Sequence, residues 1–106
     1  MTSNNFNERC YKLLSTVPAG KVTTYKALAQ ALGTRAYRAV GNAMNKNPYP
    51  RDIVPCHRVV NTDGRIGGYA GRPGEKIKRL KEEGVEVSDS RVVDFKQKLY
   101  IFPLPS

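Results

Sequence analysis

Between Phe6 and Lys46 apolar residues recur three times at helical spacing, and a helix-breaking residue closes each of the first two runs. Phe6, Cys10, Leu13, Leu14 and Val17 form the first stripe. Asn5 and Glu8 stand as a capping pair before it, and Pro18-Ala19-Gly20 makes a turn after it. Thr23 or Thr24 is placed to cap a second helix through Tyr25, Leu28, Ala29 and Leu32, which Gly33 ends. Thr34 is placed to cap a third, with Ala36, Ala39, Val40, Ala43 and Met44 as its inner stripe. Its small residues (Ala36, Ala39, Gly41, Ala43) predict close packing on the neighbouring helices. Two short helices joined by a glycine-containing turn make a helix-turn-helix pattern, which many all-α domains share. The expected fold is mainly α: a small helical domain with a winged-helix-like helix-turn-helix and short strands and loops around a site.

Asn47-Pro48-Tyr49-Pro50-Arg51-Asp52 reads as a loop, because two prolines with one residue between them exclude regular helix and central strand. Ile53-Val54 leads into Pro55-Cys56-His57-Arg58-Val59. Asn61-Thr62-Asp63-Gly64 is a turn, and Ile66-Gly67-Gly68-Tyr69-Ala70-Gly71 is glycine-rich, fit for close approach to a ligand or for a plain surface loop. Pro73 opens a last amphipathic helix with Ile77 and Leu80 inside, ended by Gly84. At 106 residues the chain supports one domain, residues 1–106, with a core over about 6–84. In the tail, 85–106, Val92, Val93, Phe95, Leu99 and Phe102 can pack back.

Eighteen Lys and Arg against nine Asp and Glu give a net charge of +9, which points to an anionic polymer as partner. The third helix concentrates this bias. Arg35, Arg38, Asn42, Asn45 and Lys46 occupy its outer positions, and no acidic residue joins them. A solvated face ordinarily mixes signs, so this one suits phosphates or bases; an ordinary exposed basic helix is the alternative. One His and two dispersed Cys offer no spaced ligand set for a metal, and no run approaches a membrane span. The N-terminus lacks the layout of a secretory signal. The expectation is a cytoplasmic or otherwise intracellular, reducing compartment (near the nucleoid or nucleus), with no cofactor, metal or membrane partner and a monomeric state.

Cys10 lies on an apolar helix face, where burial is its expected role. Cys56 stands beside His57. Only the thiolate is a strong nucleophile, and an adjacent base or cation raises its fraction. A small buried hydrophobe is the competing reading of the same cysteine.

Taken in order, Pro18-Ala19-Gly20-Lys21-Val22, Tyr25 with Leu28-Ala29, Arg38-Ala39-Val40-Gly41, Asn47-Pro48, Pro55-Cys56-His57-Arg58-Val59-Val60 and Gly68-Tyr69-Ala70-Gly71 resemble the C-terminal domain of the O6-alkylguanine-DNA alkyltransferases. The likeness runs from about Phe6 to Gly84. It implies a protein that binds double-stranded DNA through the minor groove and rotates an O6-alkylguanine into a pocket. The alkyl group would then pass irreversibly to Cys56. By the same resemblance His57 is the base, acting through a water, and Glu83 orients and charges it. Asn47 ties the turn beneath the cysteine, and Tyr25 crowds a phosphate and hydrogen-bonds the base. Arg38 fills the gap left in the duplex, alongside Arg35, Ala39, Asn42 and Lys46 as DNA contacts. Val54, Pro55, Val59, Tyr69 and Ala70 line the pocket, with Lys76 near the leaving group.

Three features depart from the family pattern. The expectation is a chain without the N-terminal domain that most members carry, and the Asn47-to-Cys56 segment runs about one residue longer than the family's commonest form, through Arg51-Asp52. Ala70 stands where serine is frequent. A second implied reading is an alkyltransferase-like sensor, which grips alkylguanine and recruits other repair proteins without transfer. Such sensors are single short domains too, but usually replace the cysteine, commonly with tryptophan. A third is a helix-turn-helix regulator with an inert cysteine.

Overall fold

The computed structural model describes residues 6–50, 52–67 and 73–102. Its order is α1 (Phe6–Leu14), β1 (Thr23–Thr24), α2 (Tyr25–Ala31), α3 (Tyr37–Asn45), a 3-10 turn (Cys56–Arg58), β2 (Val59–Val60), α4 (Pro73–Glu82), β3 (Val87–Ser88), β4 (Arg91–Val92) and α5 (Phe95–Lys98). The architecture is mainly helical, with a helix-turn-helix in α2–α3.

The three N-terminal helices pack around one apolar cluster. Cys10, Leu14 and Val17 of the first stripe are buried there with Leu28, Ala29, Val40, Ala43 and Met44. Tyr11, one position off the periodic stripe, joins them and donates from its hydroxyl to the Ala43 carbonyl at 2.7 Å, so α1 and α3 are pinned by a buried polar bond. Thr24 does cap α2: its Oγ1 accepts from the Ala27 amide at 2.9 Å. At the other end Gly33 takes φ +77°, while the Gly33 and Thr34 amides donate to Gln30 and Ala29. That paired return stops the helix cleanly.

Two expectations for α3 fail. Thr34 does not cap it: the helix starts at Tyr37 after Ala36, and Thr34 Oγ1 instead accepts from the Ala36 amide at 3.1 Å, forming a turn before the helix. Ala36 therefore lies outside the helical period and is exposed, not part of the inner stripe. Gly41 has open space where a Cβ would sit, so close packing does not require it.

β1 and β2 are parallel, with Thr23 opposite Val59 and Thr24 opposite Val60. They form the seam between the first cluster and a second one built from Val22, Val60, Ile66, Leu80, Val85 and Val92. The tail is integral to this half. β3 and β4 make an antiparallel hairpin, and the chain after α5 runs beside β1, with Val22 exchanging backbone bonds with Lys98 and Tyr100. Phe102 then crosses into the first cluster, edge-on to Tyr100.

Among the described residues no helix is long and apolar enough to cross a membrane, and no cluster of His, Cys, Asp or Glu could hold a metal.

Candidate active site

The loop after α3 is held from both sides. Asn47 donates from Nδ2 to the Val54 carbonyl at 3.0 Å and accepts from the Tyr49 amide through Oδ1 at 2.9 Å. Tyr49 packs edge-on against Tyr11, and its hydroxyl donates to Glu8 Oε1 at 2.8 Å, anchoring the loop to α1. The Pro50 carbonyl accepts from Ile53 and Val54, one tight turn that delivers the chain to Pro55. Pro55 itself is buried, and so are Val54 and Val59. Cys56 follows, 4% exposed, at the start of the 3-10 turn.

That turn sends His57 and Arg58 toward the C-terminal end of α4. Glu83 sits there, immediately before Gly84, whose φ of +85° ends the helix. Carbonyl groups crowd a helix C-terminus and disfavour a carboxylate, so Glu83 needs cationic company. Arg58 supplies it. Nε donates to Oε1 at 2.9 Å and Nη2 donates to Oε2, while Nη1 holds the Val17 carbonyl at 2.8 Å. His57 Nε2 lies 3.0 Å from Glu83 Oε2.

Charges in this group follow from burial and contact. Burial pushes the Glu83 carboxyl up, but the hydrogen bonds from Arg58 and His57 outweigh it and hold the group below its ordinary value. For His57, only 2% exposed, burial dominates: the ring is pulled below its usual 6.5, against the opposing pull of Glu83. The lowered value favours a neutral imidazole at pH 7, with Glu83 as its hydrogen-bond partner. An ionised carboxylate can only accept, so the proton resides on Nε2 and leaves Nδ1 with a free lone pair. Nδ1 is buried and has no hydrogen-bond partner among the described residues.

Two further groups are electrostatically coupled to Cys56. Burial, and then Cys56, raises the Tyr25 phenol above 10, so it stays a donor across the neutral range. Lys76 is fully buried, an unusual place for an ammonium. Its Nζ donates to the Val59 carbonyl at 2.6 Å and the Ile66 carbonyl at 2.7 Å. Burial pulls it down to about 8, with the coupling to Cys56 acting the other way. Lys76 thus binds the backbone on either side of the Asn61–Gly64 turn to α4.

On the opposite side of the helix-turn-helix, Arg35, Arg38, Asn42 and Lys46 are all exposed and Ala39 is half-buried. Arg38, Asn42 and Lys46 follow one another at four-residue intervals, a single basic and polar face away from buried Val40, Ala43 and Met44. Tyr69 and Ala70 lie outside the described residues. Sequence reasoning missed Arg58 as a site residue. Its signal was present: a carboxylate directly before a helix-ending glycine calls for a nearby cation.

The family model described as "6-O-methylguanine DNA methyltransferase, DNA binding domain" matches residues 5–85. The chain belongs to this family. Among alkyltransferase relatives, the methylated-DNA–protein-cysteine methyltransferase of Methanosarcina barkeri is 48% identical over 67 residues, 62% of this chain and 42% of that protein. The crystal structure of O6-methylguanine-DNA methyltransferase from Pyrococcus kodakaraensis strain KOD1 superposes with TM-score 0.69 at 49% identity, over 77% of this chain and 47% of the other. S. pombe Atl1, solved in complex with damaged DNA containing O6-carboxymethylguanine, superposes with TM-score 0.78 at 33% identity, over 94% of this chain and 98% of its own. The chain spans roughly a third to a half of the length of the alkyltransferase relatives it matches.

Proposed function

We propose that this chain repairs DNA by direct reversal, taking the alkyl group of O6-alkylguanine onto Cys56 in a single, irreversible turnover. The observation that carries the reading is the Arg58–Glu83–His57 series, which ends in an unpartnered Nδ1 on the residue next to an intact cysteine. Nucleophile, base and orienter follow the logic of a catalytic triad.

In this reading the Cys56 proton passes to His57 Nδ1, through one water. The resulting imidazolium is stabilised by Glu83, whose own charge Arg58 keeps in place. Sγ attacks the alkyl carbon in line; an S–C bond forms as the C–O6 bond breaks, and the electron pair leaves with guanine. The Tyr25 hydroxyl, protonated and within the field of Cys56, donates to the departing base and lowers its barrier. The exposed face of α3 holds the duplex, and Arg38 replaces the extruded base, offsetting an unstacking cost of about a few kcal/mol. Lys76 and Asn47 hold the backbone of the pocket, through Val59 and Val54.

The near-complete mutual coverage with Atl1, tail included, favours a second reading as a damage sensor. Mass spectrometry after incubation with a duplex carrying one O6-methylguanine separates the two. A gain of one methyl on the Cys56 peptide, absent in Cys56→Ala, supports transfer. Tight binding with no mass change supports the sensor.

A further inference from the structure

Arg65 and Arg91 face each other across an antiparallel bridge between the Asn61–Ile66 turn and the tail hairpin. The bonds that flank them run from the Ile66 amide to the Ser90 carbonyl at 2.8 Å and from the Val92 amide to the Gly64 carbonyl at 2.9 Å. This is the non-hydrogen-bonded type of pair, which brings opposed side chains closest together. Arg91 is also opposite Ser88 in the hairpin. Arg65, Arg91 and Ser88 therefore form one row across three strands, on the same face. The neighbours on the other face, Ile66 and Val92, are buried in the second cluster, so the row looks outward. It lines a groove of about 490 Å³ together with Asp89 and Ser90.

Like charges directly opposite each other destabilise a sheet. Asp63 relieves this only in part: its Oδ2 is 3.4 Å from Arg65 Nε, and both side chains are more than half exposed. Asp89 sits at the tip of the hairpin, outside the row. The hairpin nevertheless holds its register through Asp89 and Ser90, both left-handed at φ +52° and +62°, without the glycine that such a two-residue turn prefers. An oxyanion shared by the two guanidiniums, with the Ser88 hydroxyl as a third donor, turns their repulsion into attraction.

We propose that this row binds a backbone phosphate of the DNA duplex, a contact outside the helix-turn-helix. The inference rests on the DNA-binding reading above. Its placement follows from topology. β1 and β2 are parallel and in register, so Tyr25 at the start of α2 and Asn61 at the start of the turn leave the same end of the pair. A duplex against Tyr25 and α3 thus has the turn, and the row beyond it, on its flank.

The test is the salt dependence of duplex affinity for wild type, Arg38→Ala and the double variant Arg65→Gln/Arg91→Gln, with circular dichroism and thermal melting to verify folding. Inorganic phosphate at constant ionic strength serves as the small-anion probe, read by the Arg Nε–H signals in NMR. The proposal expects the double variant to lower affinity equally for lesion-bearing and undamaged duplexes, and to make the slope of log K against log salt shallower by about 1. An unchanged slope in the double variant, with Arg38→Ala still weakening binding, overturns the row and leaves the DNA reading standing. Phosphate shifts without a slope change mark a small-anion site and overturn it equally. Absence of salt-dependent binding by wild type removes both.

Discussion

Cys10 and Cys56 are buried in the same apolar cluster, 0% and 4% exposed, but their surroundings differ in kind. Cys10 faces the aliphatic side of the helix bundle, where burial pushes its thiol up to about 11 with only a small opposing effect from Arg9. Cys56 enters at the seam between the two clusters, beside a neutral imidazole, with Tyr25 and Lys76 both electrostatically coupled to it. Burial by itself makes a cysteine inert. What distinguishes the second site is a set of polar groups brought in from separate segments, with His57 and Arg58 on the Glu83 carboxylate and Lys76 on backbone carbonyls. The same contrast separates the two halves of the molecule. The first is bound by apolar stripes, while the second buries His57 and Lys76 and has to satisfy them.

The largest expected effect follows directly. Cys56→Ala abolishes transfer, whereas Cys10→Ala leaves the methyl gain intact and lowers stability by about 1–2 kcal/mol, measured by urea denaturation. Equal loss of transfer in both would erase the distinction. Next comes Glu83→Gln, which keeps the shape but frees the His57 tautomer and strands Arg58; the transfer rate should fall on the order of 100-fold. Arg58→Lys retains charge but not the two-pronged grip, and a fall of roughly tenfold is expected, with little change in duplex affinity. A rate equal to wild type in stopped-flow assays would show that the fork does not position the histidine.

A pH series sharpens the comparison on the side of stability. The amine of Lys76 titrates near 10.5 when unfolded and about 8 in the fold. Between these values the unfolded chain binds the proton that the folded chain has lost, so this group makes stability rise with pH across the window, by roughly 3 kcal/mol in all. Cys10, raised from 9.0 to about 11, works in the opposite sense over the upper part of that range. The difference between wild type and Lys76→Met, followed by denaturation from pH 7.5 to 9, isolates the lysine; a flat difference contradicts its buried state. The smallest effect belongs to the hairpin. Ser90→Gly relieves a left-handed backbone and should add about 0.5–1 kcal/mol in thermal denaturation.

The helix-turn-helix was legible because apolar period, the Thr24 cap and Gly33 all act within a few residues of one another. The start of α3 was not, since Thr34 can bond the Ala36 amide as a turn as readily as cap a helix, and only tertiary packing selects between them. For the site, Cys56 and His57 announce themselves by local pattern, while Asn47 entered through the family resemblance. Glu83 and Lys76 reached it only through the family resemblance, and Arg58 not at all, because their roles depend on α4 meeting the 3-10 turn across some twenty residues of chain. The tail gave the weakest signal: its strands are two residues long, too short for alternation to show, and their burial comes from contacts made far back in the sequence.

His57 is the single histidine of the chain, so its ring nitrogens can be followed by NMR without ambiguity. The account predicts a neutral ring at pH 7, protonated on Nε2, with a titration midpoint below 6.5. An imidazolium at pH 7, or a neutral ring carrying its proton on Nδ1, would contradict it, because neither leaves a lone pair on Nδ1 to accept the proton of Cys56.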